Sequence, residues 1–166
     1  MSPRLALSAV ALYLLTGILA ASAAPGPPWF VARTAGAATV TLRGSAEFGQ
    51  VKESVGSGPF VVTLGAQSPT GAIVFTWPDS GAPAPGVYAV SESDAGVRAL
   101  VVTGSATRPT GAYRARGGRL TITRSSAKAI EGRFELDAVG FDVGSPLEEG
   151  RALIARGAFD ARPSLQ

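Results

Sequence analysis

Apolar residues recur at every second position through most of this chain, and that spacing decides what it can fold into. In Arg119-Leu120-Thr121-Ile122-Thr123-Arg124, Leu120 and Ile122 share one side while Arg119, Thr121 and Thr123 share the other. In Arg133-Phe134-Glu135-Leu136-Asp137 the aromatic and leucine alternate with charges in the same way. A period of two belongs to a half-buried strand and not to a helix. Further runs follow at 39–48, 60–64, 72–77, 87–90, 97–103, 112–115 and 152–159, separated by Gly, Pro and Ser. Short strands at such spacing predict an all-β domain. Residues 146–155 support at most one helical turn, interrupted by Gly150.

The turn chemistry fits. Gly117-Gly118 and Asp94-Ala95-Gly96 allow tight turns, and 51–58 and 78–86 are the longest polar or Pro/Gly-rich connections. Residues 119–124 and 133–137 pair as a hairpin through 125–132, setting Arg-bearing and acid-bearing outer faces side by side. Opposite charges across strands contribute a few tenths to about 1 kcal/mol, so these charges read first as a pairing device. The parity changes after Leu136, and Gly140 is the expected place for a bulge or bend. Dense antiparallel strands close as two packed sheets or as a barrel. The expectation is an antiparallel β-sandwich, with a small calycin-like β-barrel as the alternative.

The first segment is read apart from the fold. Arg4 precedes an apolar run from Leu5 to Ala21, which closes on Ala21-Ser22-Ala23, an A-x-A pattern. These are the parts of a secretory signal peptide, with cleavage expected between Ala23 and Ala24. The expected organisation is a signal peptide over 1–23, an extended Pro/Gly-rich leader over 24–36 and a single β domain over 37–166. The signal peptide implies a secreted or periplasmic protein that touches the membrane only through that segment, and the excess of Arg over Lys with abundant Ala and Gly suggests a GC-rich bacterial source. With no cysteine anywhere, it is not a lipoprotein, and hydrophobic packing alone must hold the domain together. The 143 residues after Ala23 suffice to bury about two-thirds of their unfolded surface.

Composition closes several chemistries. The chain has no histidine, cysteine or asparagine. Ser-His-Asp and Cys-His nucleophile systems are therefore closed, as are the usual zinc and copper sites, and no cofactor is expected. Without Arg4, 14 basic residues face 12 acidic ones, a balance that does not indicate nucleic acid. Glu135 and Asp137 share one strand face and are the candidates for a carboxylate-pair hydrolase, a reading that ranks behind a binding module and a small-ligand carrier. Ser91-Glu92-Ser93-Asp94 lacks the spacing of a calcium loop. The sharpest feature is the group Arg108, Arg114, Arg116, Arg119, Arg124 and Lys128, a candidate patch for an anionic envelope or polysaccharide surface. Trp29, Phe30 and Trp77 stand where aromatics plug the open end of a β-core or edge a ligand mouth.

Gly118, Leu120-Thr121-Ile122-Thr123, then Ile130, Gly132, Phe134 and Ala138, then Gly157, Phe159 and Asp160 form a pattern LTIT, IxGxFxLxA and RGxFD. Over roughly residues 70–161 this resembles uncharacterised secreted bacterial β-sandwich proteins. The resemblance implies export and a β-fold and carries no catalytic residue. The function expected from these observations is an exported, non-catalytic binding or envelope-associated module. The alternative is a carrier of a small apolar ligand, with a barrel cavity lined by Phe60, Phe75 or Trp77.

Overall fold

The computed structural model describes residues 26–52, 57–105, 107–141 and 150–164. The segment read as a signal peptide, its Ala23–Ala24 junction and residues 146–149 lie outside them. The described chain forms nine strands: β1 (Trp29–Gly36), β2 (Thr41–Lys52), β3 (Ser57–Gln67), β4 (Thr70–Thr76), β5 (Gly86–Ala89), β6 (Arg98–Ser105), β7 (Arg108–Ser125), β8 (Ile130–Gly140) and β9 (Ala152–Pro163). The all-β class is the one the alternation predicts, and no described residue is helical.

The closure is the barrel, the alternative, and not the sandwich. Pairing runs β7-β6-β4-β3-β2-β1-β9-β8, and β8 then pairs with β7 to complete a ring of eight antiparallel strands. The reason lies in β7. The runs 112–115 and 119–123 are one strand of 18 residues, long enough to hold β6 along its first part, Arg108 to Arg114, and β8 from Tyr113 to Ser125. Gly117-Gly118, expected to turn, lies inside that strand, where the register slips between Ala115 and Gly117. Gly118 has φ of 139°, and a Cβ there would lie 2.3 Å from the Glu135 carbonyl oxygen, so only glycine fits. The bulge moves the inward set from Tyr113 and Ala115 to Leu120 and Ile122 without ending the strand. Gly140 ends β8 and carries no bulge.

Trp29–Gly36, read as part of the leader, is β1 and lies between β2 and β9. The predicted hairpin exists: Thr121 faces Arg133 and Arg119 faces Glu135, with a turn at 126–129. There Ser126 Oγ accepts the Lys128 and Ala129 N–H groups at 3.3 and 3.1 Å. β5 pairs with β7 alone, leaving a seam between β4 and β5. The 78–86 connection crosses that seam: Pro83 is buried, the Tyr88 hydroxyl donates to the Ala84 carbonyl at 2.6 Å, and the Gln50 side-chain amide donates to the Ser80 carbonyl. At the same end β9 runs parallel to β2 through Glu47–Arg162 and Phe48–Pro163.

Inward positions are apolar, from Phe30 and Leu42 through Ile73, Phe75 and Val101 to Leu136 and Phe159, with Thr34 and Thr103 the buried polar side chains among the described residues. Outward positions carry Arg33, Arg43, Glu47, Arg119, Arg133, Glu135 and Arg156. The apolar interior contrasts with the polar lumen of membrane-spanning barrels. Two reciprocal contacts centre the core. Phe134 lies directly opposite Gly157, and Phe159 directly opposite Gly132. Each ring covers the space a glycine leaves, and Phe75 packs on both rings, 5.2 and 6.3 Å between centroids. Glycine and phenylalanine of the IxGxF and RGxF patterns are thus packing residues.

Candidate functional site

The six basic residues grouped along the sequence are strung along one long strand and its turn. Sixteen positions separate Arg108 from Arg124, about 50 Å at roughly 3.3 Å per residue. Three of the six have acidic partners. Arg114 and Arg116 both reach Glu92, at 3.1 and 3.8 Å, and Arg124 meets Glu131 at 2.6 Å. Arg114 also lies over the Phe141 ring, 5.6 Å from its centroid. Lys128 is exposed in the β7–β8 turn, and Arg108 begins β7. Only Arg119 joins a larger group.

That group comes from register. On β2, β1, β9, β8 and β7, five consecutively paired strands, one outward arginine each falls within two adjacent rows. One row across the sheet reads Thr41, Arg33, Arg156, Glu135, Arg119. The next reads Arg43, Val31, Ala158, Arg133, Thr121 and then Val87 of β5. The two rows hold five guanidinium groups and one carboxylate. Glu135 is bound by Arg156, whose Nε and Nη2 both donate to Oε1 at 2.9 and 2.5 Å. Arg33, Arg43, Arg119 and Arg133 are exposed and form no ion pair among the described residues.

The row beyond is acidic but neutralised within itself. Trp29, Asp160, Glu131 and Arg124 stand in line there. Glu131 takes Arg124. Asp160 takes Arg162, which also donates to the Gly26 carbonyl at 2.9 Å. The side chains of Arg162 and Asp160 are only 14% and 13% exposed. The Asp160 hydrogen bond raises the Arg162 guanidinium above its ordinary pKa, against the opposing pull of burial, with the charges of Asp160 and Glu131 adding to the rise. The arginine rows therefore draw no compensation from below.

Between the arginines the wall is low. Val31, Ala158 and the Gly157 backbone floor a depression of about 420 Å³ bordered by Arg33, Arg43 and Arg156. A second of about 430 Å³ shares Arg156 and Gly157 and is bordered by Arg119, Arg133 and Val87, the last 66% exposed. A third, about 380 Å³, shares Arg133 and Ala158 and ends on Trp29, itself 46% exposed. The three lie side by side and share wall residues. Guanidinium groups suit such a face to carboxylate, sulfate or phosphate, which they bind in bidentate fashion.

The other candidate residues are committed to packing or pairing. Phe60 packs against Phe48 and Trp77, at 5.8 and 5.9 Å, and Trp77 packs against Tyr88 at 6.2 Å. Phe75 is enclosed by Phe134 and Phe159. Of the residues expected to line a carrier's cavity, Phe60 and Trp77 thus pack on each other and Phe75 packs on Phe134 and Phe159. Trp77 is buried at this end of the core, as an end plug requires, whereas Trp29 faces outward and Phe30 inward. Glu135 is tied to Arg156, and Asp137 is exposed on the outer wall, opposite Ile154. Glu92 and Asp94 of the Ser-rich turn face arginines, Asp94 meeting Arg98 at 2.7 Å. No group of His, Cys, Asp and Glu able to hold a metal occurs among the described residues.

Reasoning by sequence proximity misses Arg33, Arg43, Arg133 and Arg156. Their signal was parity: each falls between two inward residues of an alternating run, as Arg33 does between Ala32 and Thr34. No protein-family model, curated protein or solved structure matches the chain.

Proposed function

We propose that this protein is an exported, non-catalytic binding module that takes an anionic partner on the arginine-bearing wall formed by β2, β1, β9, β8 and β7. One observation carries the reading: five neighbouring strands place five outward arginines in two rows with a single carboxylate. Arg33 lies directly opposite Arg156. Like charges in that position are destabilising, so a wall built for stability alone would avoid them. Export is supported by the apolar run and A-x-A pattern over residues 1–23. A non-catalytic role is supported by the absence of histidine and cysteine and by the engagement of Glu135 with Arg156.

The test is retention of the purified protein on immobilised dextran sulfate. Retention is expected in about 50 mM salt and loss by about 500 mM, where screening shortens the reach of surface charges. Charge reversal of Arg33 and Arg133 together should abolish it, while reversal of Arg108 should change it little. Absence of retention at low salt would refute the reading.

A further inference from the structure

Resting on that reading, we infer that the partner is a linear anionic polysaccharide laid across the strands and following the barrel wall from Arg43 to Arg119. The arginines form a track perpendicular to the strand direction. Moving from β2 to β7 they step between the two rows: Arg43 in the second, Arg33 and Arg156 together in the first, Arg133 in the second, Arg119 in the first. Neighbouring strands are about 4.8 Å apart, so the four steps cover about 19 Å of wall. A track that offers a cation at every strand suits a chain whose anionic groups recur along its length.

The curvature separates a chain from a flat surface. Eight strands closing a ring turn about 45° each, so four steps carry the arginines around about half the circumference. Arg43 and Arg119 then face nearly opposite ways. A bilayer pressed against the wall meets the middle of the track and leaves its ends in water. A flexible chain reaches all five. The floor also favours sugar: Val31 and Ala158 give small apolar surfaces between the cations, and Trp29 and Val87 stand exposed at the borders. Such surfaces match the C–H faces of pyranose rings, while guanidinium groups take the acid substituents. Single-stranded nucleic acid needs a series of exposed aromatic platforms, whereas along this track Phe134 and Phe159 are buried and Trp29 is the exposed aromatic among the described residues.

The test measures affinity for size-fractionated heparin oligosaccharides by calorimetry. Vesicles of phosphatidylglycerol in phosphatidylcholine and single-stranded DNA of matched charge serve as comparisons. Affinity should climb about tenfold or more from the shortest oligosaccharide to one long enough to span the five arginines, then level off, as simultaneous contacts on one chain demand. Arg43→Glu with Arg119→Glu should remove that gain for long chains and leave short ones bound as before. Length-independent binding, or vesicles or DNA bound as tightly as the longest oligosaccharide, would overturn the inference while the anionic wall stood. Failure to bind any of these probes at low salt would overturn the wall itself.

Discussion

The glycines opposite Phe134 and Phe159 give a quantitative handle on the barrel. In Gly157→Ala the new methyl would lie 2.4 Å from the Val31 carbonyl oxygen and 2.6 Å from Phe134 Cζ. The oxygen belongs to a strand held on both sides, and the ring is enclosed by Phe75, so neither gives way freely. Overpacking of this kind costs about 1–3 kcal/mol, and two obstacles place Gly157 near the upper end. Replacing glycine at an ordinary φ returns about 0.4–1 kcal/mol through the unfolded chain, leaving a net loss of about 2 kcal/mol. At about 2–4 °C per kcal/mol for a chain of this size, Tm should fall by roughly 4–8 °C. Gly65→Ala, where nothing lies within 4 Å of the added atom, should leave Tm unchanged or slightly raised. Adding Phe134→Leu to Gly157→Ala removes the ring but not the oxygen, so the double variant should lose about 1 kcal/mol less than the two singles summed. Thermal melts followed by circular dichroism decide it. Equal Tm values for Gly157→Ala and Gly65→Ala, or strict additivity with Phe134→Leu, would refute the glycine–phenylalanine interlock.

Gly44→Ala should be more damaging still, because its methyl would fall 1.9 Å from the Gly65 carbonyl oxygen. Poor soluble yield or a Tm drop beyond that of Gly157→Ala is the expected result. Arg162→Ala leaves the Asp160 carboxylate largely buried without its cation. Because some exposure remains, the loss should be about 2–3 kcal/mol in urea unfolding, short of the roughly 3–5 kcal/mol typical of fully buried pairs. Arg162→Lys should recover part of that loss, since it keeps the charge and gives up the planar fork.

What the sequence displays depends on how far apart the interacting residues lie. Alternation is local, and so the runs at 60–64 and 133–139 stand within the elements found, and that at 72–77 overruns β4 by Trp77 alone. Closure is not local. It depends on β7 continuing through Gly117-Gly118, where a bulge at positive φ looks, from the residues alone, the same as a turn. The leader posed a similar problem. Phe30, Ala32 and Thr34 alternate inward, but Pro27-Pro28 and the short run hid a strand that gains its pairing from β9 at the far end of the chain. The arginine wall is the extreme case. Arg33 and Arg156 stand opposite each other, yet no window of sequence contains both. Arg43-Gly44 and Arg156-Gly157 share a placement that shows only once strands are paired. Each places an arginine outward in the wall and a glycine inward against a neighbouring strand's carbonyl. The Arg108-to-Lys128 group was conspicuous because its members are near in sequence, and three of them already have acidic partners.

Amide shifts during titration with a long heparin oligosaccharide test the arginine wall most directly. The shifts should gather at residues 31–33, 43, 119–121, 133–135 and 156–158, with the outward face of β4 and β6 around Val74 and Leu100 unchanged. Shifts concentrated around Val74 and Leu100, with those arginine-bearing segments silent, would contradict it.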